Sequence, residues 1–241
     1  MPGIDETRPF VPVNIAILTV SDSRTLETDT SGQTLVDRAE AAGHKVADRA
    51  IVTDDVDRIQ AKLKQWIADP EIDCVISTGG TGVTGRDVTP EAFEALYEKH
   101  IAGFGEAFRH ISFQKIGTSA MQSRATAGVA GGTYLFALPG SSGACRDGWD
   151  DILVYQLDNR FRPCNFVEIM PRLLEQGEGT IVNTASVLGL VPSAHVPAYC
   201  ASKFAVVGLS ESLDLEVKAS GVRVLVLCPG IIHTDILNKT P

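Results

Sequence analysis

Apolar and amphipathic segments alternate along the first two thirds of the chain. Residues 13–20 form a nearly continuous run of β-branched and aliphatic side chains, typical of a parallel strand covered on both faces. Residues 55–70 repeat apolar side chains at helical spacing, which predicts an amphipathic helix. The predicted strands are 13–20, 44–52, 74–77 and 133–138, and the predicted helices are 34–42, 55–70, one beginning at 89–91, and 144–157.

Strands that alternate with helices, with glycine-rich turns between them, predict an α/β fold in which a sheet is sandwiched by helices. Gly43 is expected to end the first helix. Thr89 is expected to cap its helix, with Pro90 in the first helical position.

The pattern changes near residue 166, after a basic, proline-containing stretch. We predict a domain at 1–166 and a more apolar segment at 167–241. The segment has a predicted helix end at 167–175, a strand at 180–184, a helix at 199–219 and a strand at 222–227. This order is typical of an incomplete Rossmann-type βαβ fragment, because two strands and one helix cannot bury their own faces.

Composition excludes several classes of protein. The chain has 241 residues, of which 44% are hydrophobic and 21% charged, so disorder and coiled coil are not expected. No apolar run approaches the ~18 residues of a membrane span, and residues 1–12 lack the regions of a secretory signal. With 21 basic and 30 acidic residues the net charge is −9, which argues against nucleic-acid and anionic membrane partners. We expect a cytoplasmic protein.

The five cysteines are scattered and never spaced as CxxC, which argues against zinc binding and disulfides. We predict buried, reduced thiols at Cys74, Cys145, Cys164, Cys200 and Cys228.

A glycine-rich loop at 80–85 follows a predicted strand and matches GxGxxG. A dinucleotide site also needs an acidic residue about 20 positions further, at a strand tip, and the nearest candidate, Glu106, has no predicted strand before it. A P-loop needs Lys and Ser or Thr where Arg86 and Asp87 stand. A tight turn without ligand is the third interpretation. Asp87, just beyond a run of backbone N–H groups, favours a phosphate bridged by a metal ion.

Ordered motifs across residues 10–166 resemble those of the MoaB/MogA family of molybdopterin-binding proteins. They are 19–24 (TVSDSR), 77–82 (STGGTG), 86–91 (RDVTPE), 103–106 (GFGE), 119–128 (SAMQSRATAG), 138–141 (LPGS) and 156–166 (QLDNRFRPCNF). The resemblance implies a three-layer domain with a mostly parallel sheet, assembled as a homo-oligomeric trimer or hexamer. It also implies that the phosphate of molybdopterin is joined to AMP from ATP, with Mg²⁺ bound and pyrophosphate released.

By the same resemblance, Asp54 and Asp87 are the catalytic acidic pair that binds the metal. From the sequence alone, without the resemblance, a helix cap before Val56 is the favoured role of Asp54. Glu106 and Arg109 are close enough to pair with each other. The remaining implied binding residues are Ser21, Asp22, Gly79, Gly80, Thr81, Gly82, Ser119, Arg124, Ser141 and Ser142. One alternative is a protein of this family that binds molybdopterin without catalysis.

Residues 179–234 resemble the short-chain dehydrogenase/reductases, through IVNTAS at 181–186, YCASK at 199–203, Pro229–Gly230 and Thr234. The resemblance implies a triad of Ser186, Tyr199 and Lys203. Val83 stands where the nicotinamide-binding TGxxxGxG motif needs a glycine, and the half of that fold which binds NAD(P) is missing. We therefore interpret the triad as vestigial and do not expect NAD(P) as cofactor. An NAD(P)-dependent oxidoreductase is the least favoured alternative.

Overall fold

The computed structural model describes residues 3–168, 179–191, 193, 196–217 and 222–230. The chain divides into two compact units, unit 1 at Met1–Glu168 and unit 2 at Ile169–Pro241. The predicted helix end at 167–175 lies mostly outside the described residues, as does Thr234.

Unit 1 is built on a six-stranded mixed sheet. The described strands of unit 1, six in this sheet and two in a separate pair, are β1 (Gly3–Ile4), β2 (Asn14–Val20), β3 (Lys45–Val52), β4 (Cys74–Thr78), β5 (Lys99–His100), β6 (Thr126–Ala130), β7 (Thr133–Leu138) and β8 (Phe161–Arg162). The sheet order is β3-β2-β4-β7-β6-β5, and β1 pairs with β8 apart from it. Strands β2, β3, β4 and β7 run parallel, whereas β6 is antiparallel to both β7 and β5.

Helices cover both faces of this sheet. They are α1 (Thr30–Ala41), α2 (Val56–Ile67), α3 (Thr89–Glu94), α4 (Ala102–Ile116), α5 (Ser142–Gly148) and α6 (Val154–Gln156). A π-helical turn at Trp149–Leu153 joins α5 to α6, so the single predicted helix at 144–157 has an irregular centre. A 3₁₀ helix at Gly117–Gln122 follows α4.

Alternating side chains of the central strands separate two cores. Ile15 and Ile17 of β2 pack into one core together with residues of α1, α4 and α5. Ala16 and Leu18 pack into the other together with residues of α2 and α3. This alternation, with both sets fully buried, is what a strand covered on both faces requires. The predicted three-layer arrangement is confirmed.

The sequence did not predict α4 or the strands β5 and β6. Gly103 and Gly105 lower the helix propensity of α4, and burial of Phe104 and Phe108 against the sheet compensates for it. The expectation of no strand before Glu106 is wrong, because β5 lies there as a two-residue edge strand.

Three helix boundaries differ from the predicted ones: α1 begins at Thr30 and not at Thr34, α2 ends at Ile67 and not near Pro70, and α3 begins one residue earlier than expected. Gly43 follows the C-cap residue of α1, Ala42, and takes a positive φ of 88°, as the terminating role requires.

Thr89 is not a cap: Val88 precedes the helix without a capping side chain, and Thr89 is its first residue, so Pro90 stands in the second helical position and not in the first. The Thr89 hydroxyl donates instead to the carbonyl of Gly79 at 2.9 Å, so it fixes the glycine loop.

Three of the five cysteines are buried as predicted, and none of the five forms a disulfide. Cys164 is exposed, so the prediction of a buried thiol is wrong there. It lies just beyond the short edge strand β8, whose own residues are only partly covered.

His44 is buried between aromatic rings and accepts a hydrogen bond through Nδ1 from the backbone N–H of Val13 at 3.2 Å. Its ring centroid lies 5.2 Å from that of Phe10 and 6.1 Å from that of Trp149. Burial lowers the pKa of His44 below its ordinary 6.5, although the Asp158 carboxylate opposes the shift.

We expect protonation of His44 to destabilise unit 1. Because the pKa of His44 is lowered in the folded state, the stability that the neutral ring contributes is fully present above pH 6.5. It is lost as the pH falls toward the pKa of the folded state. Urea unfolding of the chain and of His44→Asn, between pH about 8 and about 5, should give a difference between the two that shrinks on acidification. Parallel profiles would contradict this role.

Unit 2 contains β9 (Gly179–Thr184), α7 (Pro197–Val217) and β10 (Val222–Leu227). The two strands pair in parallel, with Val222 opposite Gly179 and Leu227 opposite Thr184. The predicted strand–helix–strand order is therefore present, whereas its assignment as a Rossmann-type fragment remains a prediction. Among the residues with described structure, no helix combines the length and hydrophobicity that a membrane span requires.

Candidate active site

Four adjacent parallel strands of unit 1 end at one edge of the sheet, and the loops that follow them form the candidate site. Ser21 and Asp22 follow β2, Asp54 follows β3, and Gly79 follows β4. The turn at residues 139–142 follows β7. Carboxyl ends of parallel strands are where α/β proteins place their ligands, and this edge carries nearly all of the predicted site residues.

In the structure the glycine loop comprises residues 79–88, between β4 and α3, and it begins with two residues of positive φ, Gly79 at 103° and Gly80 at 64°. The N–H of Gly79 donates to the carbonyl of Leu138 at 3.1 Å, and the N–H of Thr89 donates to the carbonyl of Gly80 at 3.0 Å. The loop is thereby tied to β7 on one side and to the start of α3 on the other.

Replacing Gly79 by alanine is expected to destabilise unit 1 by about 3 kcal/mol or more. The added Cβ would stand 2.2 Å from the carbonyl oxygen of Val20, and the positive φ adds strain. Gly85→Ala is the matched control, because nothing lies within 4 Å of its Cβ position. Denaturant unfolding should show only a small change for Gly85→Ala; equal stabilities of the two variants would contradict the prediction.

Asp54 carries a carboxylate oxygen, Oδ1, that is buried and has no hydrogen-bond partner in the described part of the chain. Burial raises the pKa of Asp54, and the nearby charges of Asp22 and Asp87 raise it further, while Arg86 lowers it. A buried carboxylate oxygen without a partner is costly, and a bound cation would satisfy it.

Asp55, not Asp54, caps α2: its side chain accepts from the N–H of Arg58 at 3.0 Å. The capping alternative for Asp54 is therefore wrong. Asp22 contacts the backbone of Asp54, because its Oδ1 accepts a hydrogen bond from the N–H of Asp54 at 3.3 Å. Asp22 also forms an ion pair with Arg86.

Asp87 is the second carboxylate of the site and lies against Gly82, where an added Cβ would be 2.8 Å from its Oδ2. This oxygen accepts from the Thr84 hydroxyl at 2.5 Å and from the Thr84 N–H at 2.9 Å. The Thr84 side chain is the main cause that lowers the pKa of Asp87. The hydrogen bonds from Thr84 therefore favour the ionised form of the Asp87 carboxylate even without a bound cation.

A cavity of about 500 Å³ opens beside the loop, and we call it the loop cavity. This volume lies in the range of small-molecule sites. Six predicted site residues line it: Gly80, Thr81, Gly82, Asp87, Ser119 and Ser141. Its apolar wall, from Phe108, Ile116 and Ala120, was missed by the sequence analysis; the helical spacing of Phe104 and Phe108 was the signal available.

The other predicted residues have different positions. Ser21 and Asp22 line a neighbouring cavity of about 460 Å³. Ser142 bonds through Oγ with the hydroxyl of Thr30 at 3.3 Å. Ser141 caps α5 by accepting from the N–H of Ala144 at 3.1 Å, which leaves its hydroxyl hydrogen for a ligand.

Arg109 and Glu106 line a further cavity of about 480 Å³, which we call the Arg109 cavity. Arg109 donates to the carbonyl of Ala125 at 3.2 Å. The expected pairing of Glu106 with Arg109 is absent from the described hydrogen bonds and ion pairs. Arg124 also lines this cavity and not the loop cavity.

Asp54 and Asp87 do not form a complete metal site by themselves. Within the described ranges, no cluster of three or more His, Cys, Asp or Glu residues could hold a metal ion. Mg²⁺ commonly takes one or two protein carboxylates and completes its shell with water and substrate phosphates. The orphaned Asp54 oxygen and the ionised Asp87 fit that requirement.

In unit 2, Tyr199 and Lys203 lie one helical turn apart on α7, with the ammonium 5.5 Å from the ring centroid. The hydroxyl of Ser186 accepts from the N–H of Leu188 at 3.3 Å, where it begins a short 3₁₀ helix. The interpretation of this triad as vestigial remains a prediction.

Comparison with known proteins separates the two parts of the chain. Residues 16–159 match the family described as "probable molybdopterin binding domain", and residues 144–241 match "short chain dehydrogenase". The molybdenum cofactor biosynthesis protein B of Escherichia coli K12 is 53% identical over 157 residues, which cover 65% of this chain and 92% of that protein.

Solved structures agree with this assignment. A crystal structure of a molybdenum cofactor biosynthesis protein B is 46% identical with a TM-score of 0.61, over 62% of this chain and 94% of that one. The tungsten cofactor synthesizing protein MoaB from Pyrococcus furiosus is 33% identical with a TM-score of 0.53, over 59% of this chain and 91% of that one.

Proposed function

Because the chain belongs to the family of probable molybdopterin binding domains, we propose that unit 1 acts in molybdenum cofactor biosynthesis as a molybdopterin adenylyltransferase. Its substrates are ATP and molybdopterin, Mg²⁺ is the metal, and pyrophosphate is released. Trimeric or hexameric assembly, implied by the family resemblance, belongs to the same proposal.

The observation that carries the proposal is the orphaned Oδ1 of Asp54. It lies beside the glycine loop, where an added Cβ on Gly80 would be 2.6 Å away. Asp87 flanks the same loop at Gly82 and lines the loop cavity. Two carboxylates beside a run of backbone N–H groups suit a metal-bound polyphosphate, whereas a neutral ligand would leave Asp54 unsatisfied.

In the proposed reaction a phosphate oxygen of molybdopterin attacks the α-phosphorus of ATP. A new P–O bond forms, the bond from the α-phosphorus to the bridging oxygen breaks, and pyrophosphate leaves with the electron pair. Asp54 and Asp87 would hold Mg²⁺, which when bound neutralises charge on the phosphates. The N–H groups at Gly80 and Thr81 would orient the phosphates, while that of Gly82 points at the Asp87 carboxylate and helps to lower its pKa.

Ser119 and Ser141 line the loop cavity with hydroxyl groups, which would donate to substrate oxygens. Phe108 and Ile116 offer an apolar wall for a flat ring system. The loop cavity has no Lys or Arg in its described lining, so charge neutralisation would depend on the metal and on backbone donors.

The test is pyrophosphate release from Mg-ATP, with and without molybdopterin, for the chain and for Asp87→Ala. We expect release that requires molybdopterin and is lost in the variant. A folded protein that binds molybdopterin but releases no pyrophosphate would overturn the enzyme and indicate a binding protein. Fluorescence of bound NADPH would indicate the oxidoreductase alternative instead.

A further inference from the structure

Arg124 makes four hydrogen bonds or ion pairs that all end on the glycine loop or on the helix behind it. Its Nε donates to the carbonyl of Gly82 at 2.7 Å, and its Nη2 donates to the carbonyl of Asp87 at 2.6 Å. Its backbone N–H donates to the carbonyl of Thr81 at 3.1 Å. Its Nη1 forms an ion pair with Glu91, in the first turn of α3.

These bonds determine which way the loop peptides point. In a trans peptide the C=O and N–H groups point in opposite directions. When the carbonyl of Thr81 is bonded to Arg124, the N–H of Gly82 is turned away from Arg124. The carbonyl of Gly82 is fixed in the same way. Arg124 lines the Arg109 cavity, whereas Gly82, to which it is bonded, lines the loop cavity.

Each side-chain nitrogen of Arg124 already makes one contact within the protein, so these contacts fix the guanidinium against the loop and leave at most one free N–H on each Nη atom. The Arg124 side chain is about one third exposed, and its planar guanidinium contacts two carbonyls and a carboxylate at once. The Arg124 charge in turn lowers the pKa of Glu91, mainly through their hydrogen bond, so Glu91 stays ionised as its anchor.

We propose that Arg124 is a positioning residue that clamps the glycine loop, so that Asp87, which the Gly82 N–H helps to hold, faces the substrate. The proposal rests on the proposed function for its catalytic consequence, but the clamp itself is a property of the protein without ligands. It replaces the expectation that Arg124 binds the ligand directly.

The first measurement is amide hydrogen exchange across residues 79–88 in the protein without ligands. We expect exchange at least 10-fold faster in Arg124→Ala, with β2 unchanged. Arg38→Ala is the matched control, since Arg38 forms a similarly exposed bidentate pair with Asp150. Loop exchange that is equal in Arg124→Ala and Arg38→Ala would overturn the clamp.

The second measurement is pyrophosphate release by the same variants. Loss of loop geometry should lower kcat/KM about 100-fold in Arg124→Ala, while Arg38→Ala keeps full activity. Added guanidinium ion should restore part of the activity of Arg124→Ala, which a loss of overall stability would not allow. Unchanged kcat/KM in Arg124→Ala would overturn the positioning role.

Two further variants cover the case in which Arg124→Ala fails to fold. Arg124→Lys keeps the charge but cannot reproduce the fork, so we expect intermediate exchange and about 10-fold lower kcat/KM. Glu91→Gln retains the Arg124 contacts to the loop carbonyls, so its effects should be smaller than those of Arg124→Lys. The reverse order would contradict the clamp.

The clamp and the proposed function can fail separately. If loop exchange is faster in Arg124→Ala but no form of the protein releases pyrophosphate, the unaltered chain included, the clamp is supported and the proposed function is rejected.

Discussion

Asp54→Asn is expected to lower pyrophosphate release about 1,000-fold, the scale of losing several kcal/mol of metal-assisted charge stabilisation. The same variant is expected to make the unliganded protein more stable at neutral pH. Asn removes the negative charge whose Oδ1 is buried without a partner and which Asp22 and Asp87 repel. A residue that is unfavourable for folding but required for activity is typical of a metal ligand.

The pH dependence of this stability gain follows from the direction of the shift. The pKa of Asp54 is raised in the folded state. Below the ordinary value of 3.8 its carboxyl is protonated in both states and does not change the free energy of unfolding. As the pH rises through the pKa of the folded state, the ionised carboxylate destabilises the folded protein. The difference in Tm between Asp54→Asn and the unaltered chain should therefore be present at neutral pH and vanish in acid.

Asp57→Asn is the control, because Asp57 is an exposed acid in the first turn of α2. It should change neither pyrophosphate release nor the pH dependence of Tm by a comparable amount. An Asp54→Asn protein that keeps its activity would contradict the metal-binding role of Asp54.

Asp29→Ala is expected to destabilise unit 1 by about 3–5 kcal/mol, the usual cost of breaking a buried ion pair. The Asp29 side chain is fully buried and bonds with Arg49 at 2.9 Å. It also accepts from the Thr19 hydroxyl at 2.7 Å and caps α1 through the N–H of Gly32 at 2.9 Å. Burial alone would raise the pKa of Asp29, but these hydrogen bonds lower it below the ordinary 3.8.

Denaturant unfolding followed by fluorescence of Trp66 and Trp149, both buried in unit 1, measures this loss. Asp37→Ala is the matched control, because Asp37 lies on the same helix and bonds with Gln33 in an exposed position. It should change the free energy of unfolding by no more than about 0.5 kcal/mol. A loss below about 1 kcal/mol for Asp29→Ala would show that α1 does not depend on this carboxylate.

Strongly apolar segments were predictable from the sequence. The predicted strand 133–138 coincides with β7, and those at 13–20 and 74–77 differ from β2 and β4 by one residue. Each of these strands is buried on both faces, so its composition alone carries the signal. Helix α4 and strand β6 carry glycines, and Gly128 of β6 packs its backbone against the ring of Tyr97. Such tertiary packing leaves no local pattern.

For the candidate site, the sequence indicates residues that the structure brings to one end of the sheet, but it does not distinguish the contacts that each of them makes. Asp54 and Asp55 are neighbours with the same side chain, and the backbone decides between them. Asp55 has the extended conformation of a cap, with φ −142° and ψ 127°, which leaves Asp54 to face the glycine loop. Arg124 was expected in the pocket, because no sequence pattern indicates that its guanidinium bonds with two loop carbonyls and with Glu91.

The most direct test of the account is to identify the product formed by stoichiometric protein mixed with Mg-ATP and molybdopterin. We expect a molybdopterin species whose mass increases by one AMP residue, formed by the unaltered chain and absent with Asp54→Asn or Asp87→Ala. Unmodified molybdopterin and intact ATP, recovered from a folded protein that binds both, would contradict it.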